Sequence, residues 1–271
     1  MAMNNITLTS GMRSNLFSLQ QTQNMMESTQ TRLSTGKRVN SALDDPINFF
    51  AAQGHTQRAS DLAMRKDEMS EAIQTIKSAD NGISAITDMI ASAKSLAQSA
   101  LATNDASERS TLAGQYNTMM TQISELQADS DYKGTNLLDA TQSIVVTFDE
   151  SGGSTLTVEG RDGTGGLDGE TAENSWADAA DITGDIGDLD DARDLLRTSA
   201  KTLSNQLSTI TTRQEFTSKM INTLEDGAAT LVNADLNEEG ANMLMLQTRQ
   251  SLGTTSLSLA SQAAQSVMRL F

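Results

Sequence analysis

The sequence predicts a mainly α protein, with long antiparallel helices and coiled coil from both chain ends, one small β-hairpin region and an acidic loop. Apolar residues recur every seven positions toward both ends of the 271-residue chain, as in helices that bury a narrow seam against other helices. Aromatic residues make up only 3% of the chain and proline occurs once, which favours packing through aliphatic side chains. Acidic residues concentrate in the middle, where the helical period is lost.

The N-terminal segment, from Asn4 to about Leu33, carries a heptad with polar interruptions. Its apolar members are Met12, Leu19, Met26 and Leu33. A seam that also contains glutamines is marginal for a free-standing helix in water. We therefore expect this helix to become ordered against partner helices.

A break at residues 34–45 ends with Asp45-Pro46, an N-cap followed by a first-turn proline. The helix predicted from there to about Ala102 would be roughly 85 Å long at 1.5 Å per residue. Such a length exceeds what one small domain covers. Its seam is the most regular in the chain and contains Leu62, Met69, Ile76, Ile83 and Ile90.

The centre of the chain changes from helical to strand periodicity. Asp105 and Glu108 form a capping-box pattern that opens a third helix. Residues 142–148 and 154–158 then read as two strands of a β-hairpin. The glycine-rich segment 160–187 is expected to be a solvated loop that tolerates insertions, with a short helical turn near Trp176.

Two helices are predicted in the last third, from Leu189 to about Asn233 and from Asp235 to Phe271. Asp235 and Glu238 form the capping box that separates them. We expect the first helix to pack within one copy of the chain and the second chiefly between copies. Their heptad members are Leu196, Leu203, Ile210, Leu224 and Leu231 in the first, and Met245, Leu252 and Leu259 in the second.

Charge and hydropathy argue against nucleic acid and membrane as partners. The net charge is −16, and residues 149–194 contain fourteen carboxylates against two arginines. This acidic centre repels nucleic acid. The sequence also has no apolar run long enough to span a bilayer and no signal-peptide core. We therefore expect no membrane insertion, and if the protein leaves the cell, we expect a route that needs no cleaved leader.

The chain has few of the side chains, such as cysteine and histidine, that commonly serve in catalysis or metal binding. Cysteine is absent and His55, on a helical seam, is the sole histidine. The glycine-rich run 160–169 lacks the phosphate-loop lysine, and the aspartates of 181–191 do not fit a calcium-binding loop. We expect no enzymatic activity, no metal and no cofactor. The weakly self-sufficient chain ends instead favour self-assembly.

Several motifs resemble bacterial flagellin. Residues 32–46 read RLSTGKRVNSALDDP, similar to the flagellin signature RLSSGxRINSAxDD. Residues 132–138, 246–252 and 265–271 also resemble flagellin segments, and the resemblance covers about residues 1–140 and 188–271. The signature positions in this chain are Arg32, Gly36, Arg38, Asn40, Asp44 and Asp45.

The resemblance implies a small flagellin, a homopolymer subunit of the extracellular filament for swimming. It also implies a flagellar type III export apparatus, a chaperone on the C-terminal helix, and filament cap and hook-associated proteins as partners. The implied inner coiled coil comprises residues 1–42 and 234–271. The implied second layer comprises residues 43–140 and 189–233, with the hairpin and acidic segment at 141–188.

One departure from the family concerns the innate immune receptor for flagellin. Many flagellins carry Arg-x-Arg-Glu-Leu on the long N-terminal helix, where this chain has Ser92, Lys94, Ser95 and Leu96 around Ala93. Serines replace the first arginine and the glutamate, which removes charge-assisted contacts. We expect weak or absent receptor activation.

Two alternatives remain open from the sequence. A hook-filament junction protein has similar helical ends but normally a more developed middle. A soluble acidic binding module would use the central segment for cations or partners and would stay monomeric.

Overall fold

The computed structural model describes residues 10–268 and confirms the mainly α-helical class. The helices are α1 (Ser10–Thr35), α2 (Pro46–Ala102), α3 (Ala106–Asp129), α4 (Ala179–Val232) and α5 (Leu236–Met268). The strands are β1 (Ser143–Thr147) and β2 (Thr155–Glu159), and a short 3₁₀ turn spans Glu173–Trp176. Within the described part, no helix is both long and apolar enough to cross a membrane.

The described chain divides into two compact units. The first unit contains residues 10–57 and 223–268, and the second contains residues 58–222. The domain boundaries predicted near residues 42, 140, 188 and 233 stay predictions.

Close packing of α1 against α5 characterises the first unit. Gly253 lets the two helices approach closely, because a Cβ atom there would lie 2.6 Å from Cδ2 of Leu19. Gln250 Nε2 donates a hydrogen bond of 3.0 Å to Gln23 Oε1 across the same pair of helices. Buried Thr22 and Thr29 also lie on α1, so this packing is more polar than a typical helical core.

The second unit has one continuous hydrophobic core. The hairpin is antiparallel, with Val146 opposite Leu156 and Ile144 opposite Val158. It turns Val146 and Val158 inward and leaves Val145 exposed, as the alternation of side chains along a strand requires. The largest fully buried side chains of the core are Met69, Ile76, Ile86, Ile90, Tyr116, Ile123, Leu137, Leu138, Trp176, Ile182, Leu189 and Leu196.

Segment 160–187 is not the solvated loop that the sequence predicted. The backbone N–H of Gly160 donates to the carbonyl of Gln142 at 2.8 Å, and that of Gly163 donates to Leu138 at 3.0 Å. A Cβ atom on Gly160 would lie 2.0 Å from the carbonyl oxygen of Asp139. The glycines therefore permit close backbone packing, so the segment is not solvated throughout. Its tolerance to insertions stays a prediction.

The acidic segment is anchored by Trp176, which is fully buried. The indole Nε1 donates to Oδ2 of Asp185, and the backbone N–H of Glu173 donates to the same oxygen at 3.2 Å. The ring of Trp176 lies 5.0 Å from that of Tyr116. The turn near Trp176 is not the helical turn that the sequence predicted, because Asn174 and Ser175 have left-handed φ angles of +47° and +54°. Helix α4 also begins ten residues earlier than predicted.

Candidate assembly surfaces

Two breaks in the helices lie side by side in the first unit. The backbone N–H of Arg38 donates to the carbonyl of Val232 at 2.7 Å, and that of Ala234 donates to the carbonyl of Gly36 at 3.0 Å. Lys37 and Asn233 thereby form an isolated antiparallel bridge. The end of α1 and the start of α5 are thus fastened to each other by backbone hydrogen bonds.

Gly36 explains why α1 ends where it does. Its φ angle is +69°, a left-handed conformation that glycine adopts without a Cβ penalty. Its N–H donates to the carbonyl of Arg32 at 2.8 Å. This geometry is typical of the glycine that terminates a helix.

The two aspartates of the signature hold the chain between α1 and α2. Oδ2 of Asp44 accepts from the backbone N–H of Asn40 at 3.0 Å and of Ser41 at 2.9 Å. Oδ1 of Asp45 accepts from the N–H of Asn48 at 3.1 Å and caps α2 as predicted. The backbone N–H of Ser41 lowers the pKa of Asp44, and that of Asn48 lowers the pKa of Asp45, because these bonds favour the charged carboxylate.

Arg32 connects the signature to α5. Its guanidinium donates to Oε1 of Glu239 at 3.0 Å. Glu239 is buried, and its Oε2 has no hydrogen-bond donor among the residues that the structure describes. The sequence did not predict this partner, because Arg32 and Glu239 are about two hundred residues apart and no local pattern joins them.

Asp235 caps α5 as predicted. Its Oδ1 accepts from the N–H of Asn237 at 2.8 Å and of Glu238 at 3.3 Å. The side chain of Glu238 is exposed, and the neighbouring Glu239 is the buried residue.

The predicted inner heptad divides into a covered part and an exposed part. Met12 is buried, and Leu19, Met26 and Leu33 are half-buried. Exposure is 57% for Met245, 65% for Leu252 and 62% for Leu259. These three residues form one stripe on α5, whereas Leu246 is buried.

The predicted seam of the longer helices is buried along most of its length. Leu231 is half-buried, and the other nine predicted members are buried. Seven of those nine belong to the continuous core of the second unit, and Leu62 and Leu224 lie outside it. The buried members are Leu62, Met69, Ile76, Ile83, Ile90, Leu196, Leu203, Ile210 and Leu224.

In the region that corresponds to the receptor motif, Ser92 and Ser95 are exposed and Leu96 is half-buried. Nζ of Lys94 donates to both carboxylate oxygens of Asp190, at 2.6 and 2.7 Å. The cationic side chain that remains in this motif is therefore engaged within the chain.

Candidate sites of other kinds are few. His55 is half-buried on α2. Residues 10–268 contain no group of three or more histidine or carboxylate side chains arranged to hold a metal ion.

The family profile described as "Bacterial flagellin N-terminal helical region" matches residues 4–143. The chain belongs to the flagellin family. This flagellin is 30% identical to flagellin FljM of Caulobacter vibrioides, with all of both chains covered. It is 28% identical to flagellin FljO of the same species, again over all of both chains. A flagellin of Brucella melitensis is 26% identical over 94% of this chain and 95% of the relative.

These comparisons confirm the resemblance inferred from the sequence. This flagellin is a structural subunit of the extracellular flagellar filament, which is assembled from many subunits and serves motility. A hook-filament junction protein and an acidic binding module are not favoured.

Proposed function

We propose that residues 1–42 and 234–271 of this flagellin form the inner coiled-coil tube of the filament around a central channel. Residues 43–140 and 189–233 form the surrounding layer, together with the hairpin and the acidic segment. Residues 1–9 and 269–271 lie outside the described part of the chain, so the proposal rests on α1 and α5.

The exposed stripe of Met245, Leu252 and Leu259 is the observation that carries this proposal. The three residues are seven positions apart, and more than half of each side chain is exposed. Seven-residue spacing places apolar side chains along one seam of a helix, which is the pattern that coiled coils bury. The α1–α5 pair leaves this seam uncovered, so neighbouring subunits are the natural partners in a filament.

Two paired variants test this stripe. Leu252→Gln/Leu259→Gln is expected to raise the critical concentration for polymerisation at least about tenfold, because two large apolar side chains lose their burial. Ser251→Gln/Ser258→Gln changes the same helix beside the stripe and serves as the matched control. Polymerisation is measured by sedimentation and electron microscopy. Normal filament growth of the leucine double variant contradicts the proposal.

Export through the flagellar type III apparatus is part of the same proposal. The N-terminal segment serves as the export signal, and a chaperone masks the apolar C-terminal helix before assembly. A variant without residues 235–271 should still reach the culture medium but should not polymerise. A variant without residues 1–42 should stay inside the cell. The filament cap and hook-associated proteins are the proposed contacts at the ends of the assembled filament.

The role of this flagellin is mechanical and not catalytic. The chain contains no cysteine and only one histidine, which removes the usual nucleophile and base pairs. The family is structural. Purified filaments are expected to show no hydrolase activity against ester, phosphate or peptide substrates.

Weak activation of the innate flagellin receptor is also proposed. Ser92 and Ser95 cannot supply the charge-assisted contacts of arginine and glutamate. The ion pair between Lys94 and Asp190 supports this proposal further, because a receptor carboxylate would compete with Asp190 for the ammonium group.

A further inference from the structure

Three large apolar side chains are strongly exposed around the start of α2. Exposure is 96% for Leu43, 81% for Ile47 and 61% for Phe50. Ile47 and Phe50 are three positions apart on one face of the helix, and Leu43 lies in the turn that precedes it. We call Leu43, Ile47 and Phe50 the apolar patch. A cluster of this kind indicates an interaction surface more strongly than scattered apolar residues do.

An apolar groove of about 410 Å³ lies beside this patch in the same unit. Val39, Ala52 and Ala228 are buried residues that line it. Phe49 and Val232 add further apolar surface. We call this cavity the Val39 groove. Its volume falls in the range of roughly 300–1,000 Å³ that holds small ligands, so it has room for large side chains.

Phe49 and Phe50 place the two features on neighbouring faces of one helix. Phe49 lines the groove and Phe50 belongs to the patch. Their rings meet edge to face, with centroids 5.6 Å apart and planes at 80°. Consecutive residues on an α-helix point about 100° apart. One copy can therefore present its patch while its own groove stays open.

We propose that the apolar patch of one subunit seats in the Val39 groove of the next subunit. This inference deepens the filament role and does not depend on the inner-tube proposal. Two different surfaces of one molecule that fit each other make a heterologous contact, which propagates as an open helical array when rotation does not close it. An open array of identical chains is what a filament is.

Charge at the edges of the contact fits a second copy of the chain. Lys37 and Glu225 are both exposed at the groove, and the ammonium of Lys37 forms no ion pair within residues 10–268. The contact we propose places the acidic edge of the patch on the Lys37 side of the groove, away from Glu225. Asp44 is exposed beside Leu43 in the patch. Seating the patch in the groove brings an acidic group toward a basic one. Such complementary charges orient partners more than they add affinity.

Paired cysteines test the contact, because the natural chain contains none. Ile47→Cys places a thiol in the patch and Gln53→Cys places one in the groove. Six residues separate them on one helix, a rise of about 9 Å, which exceeds the Cα separation of about 7 Å that a disulfide within one chain allows. Oxidised filaments of the double variant should give a ladder of dimers, trimers and longer chains on a non-reducing gel.

Control variants distinguish the other ways to cover the patch. Ile47→Cys alone and Gln53→Cys alone should remain monomeric on the gel. Dimers from Ile47→Cys alone would mean that two patches meet, and this result overturns the proposal. Gln53→Cys/Met64→Cys keeps the groove thiol and moves its partner to another exposed apolar position on α2, so it should give no ladder. Normal filaments of the Ile47→Cys/Gln53→Cys variant without a ladder overturn the contact and leave the filament role intact.

A second measurement uses the unmodified chain and decides the matter if the cysteine variants fail to assemble. Hydroxyl-radical labelling should modify Ile47 and Phe50 in the monomer and fall at least severalfold in the filament. Labelling of Phe49 in the groove should fall in parallel. Equal labelling of Phe50 in monomer and filament overturns the proposal. Protection of Phe50 without protection of Phe49 means that something other than a groove-bound neighbour covers the patch, which also overturns it.

Discussion

Lys94 and Asp190 form a two-pronged ion pair that joins α2 to α4 inside the second unit. Nζ of Lys94 contacts the two carboxylate oxygens at 2.6 and 2.7 Å. Asp190 also lies 3.2 Å from the guanidinium of Arg193. The hydrogen bond from Lys94, followed by the charges of Lys94 and Arg193, lowers the pKa of Asp190.

The acid stability of this flagellin should depend on that pair. The pKa of Asp190 is lower in the folded state. Its contribution to the free energy of unfolding is therefore fully present above the unfolded pKa of about 3.9. That contribution is lost as the pH falls through the folded value. Lys94→Met should remove it and lower Tm at pH 7 by no more than a few degrees, since both side chains are partly exposed. Thermal unfolding between pH 2 and pH 7 measures this, with the exposed Lys77→Met as control. If Tm depended on pH in the same way for Lys94→Met and for the natural chain, the role of this ion pair in acid stability would be contradicted.

Loss of the hydrogen bond between Trp176 and Asp185 should destabilise the protein more than loss of the ion pair between Lys94 and Asp190. Asp185→Ala leaves the buried indole N–H of Trp176 without its acceptor, which should destabilise the second unit by about 1–3 kcal/mol. Asp185→Asn keeps an acceptor oxygen and should cost less. Urea unfolding monitored by the fluorescence of Trp176, the sole tryptophan, measures both variants. Equal stability of the alanine and asparagine variants would show that the hydrogen bond does not anchor the segment.

Alkaline stability should depend on Tyr116. Burial raises the pKa of this phenol, and the carboxylates of Asp185, Asp188 and Glu170 raise it further. The contribution of Tyr116 to the free energy of unfolding is therefore fully present below the unfolded pKa of about 10. That contribution is lost as the pH rises toward the folded pKa. Tyr116→Phe should show a weaker fall of Tm between pH 9 and pH 12 than the natural chain. Tyr132→Phe is the control, and the same flattening in the control would refute the assignment to Tyr116.

Two glycines should respond to alanine in opposite directions. Gly160→Ala places a methyl group against the carbonyl oxygen of Asp139 and should destabilise the second unit by at least about 1–3 kcal/mol. Gly187→Ala meets no atom within 4 Å and lies within α4, where alanine is favoured by about 0.5–1 kcal/mol. Chemical unfolding of both variants measures the difference. A stabilising effect of Gly160→Ala would mean that the segment is not packed as described.

Receptor activation tests the functional consequence of the altered motif. Reporter cells that express the innate flagellin receptor should respond weakly to the natural chain. Ser92→Arg/Lys94→Arg/Ser95→Glu rebuilds the motif and should increase the response, because charge-assisted hydrogen bonds become available. Full potency of the natural chain would refute the proposal. The triple variant leaves the net charge unchanged. Ser99→Arg adds an arginine elsewhere on the same helix and controls for a nonspecific effect of that side chain.

The strongest sequence signals fixed helix boundaries well. Asp45-Pro46 combines a capping carboxylate with a residue that suits only the first turn, and α2 begins at Pro46. Asp105 and Asp235 likewise cap α3 and α5 through their side chains. These boundaries were predictable because capping depends on the few residues next to the helix end.

The acidic segment was not predictable from local pattern. Its glycines and carboxylates are typical of a solvated loop, whereas the buried positions Leu167, Trp176 and Ile182 have no regular spacing. The segment is held by contacts that local pattern does not reveal: residues 137–142 accept backbone hydrogen bonds from its first residues, and the ring of Tyr116 contacts that of Trp176. Gly184 and Gly187 concealed the early start of α4 for a related reason, since glycine weakens a helix but tertiary contacts override that preference.

The heptad of α5 had the right period but did not indicate what each face contacts. Periodicity identifies a stripe and does not identify its partner. Leu246, one position away from the predicted stripe, is buried, and Gly253 admits Leu19.

The backbone bridge between Lys37 and Asn233 has a practical consequence for exchanging parts between flagellins. It ties two places in the chain that are almost two hundred residues apart in sequence. A chimera that replaces only one terminal helix, with a different number of residues before the break, would move Gly36 away from Ala234 or Arg38 away from Val232. Both terminal segments should therefore be exchanged together. Their junctions should be placed so that Lys37 and Asn233 come from the same parent flagellin.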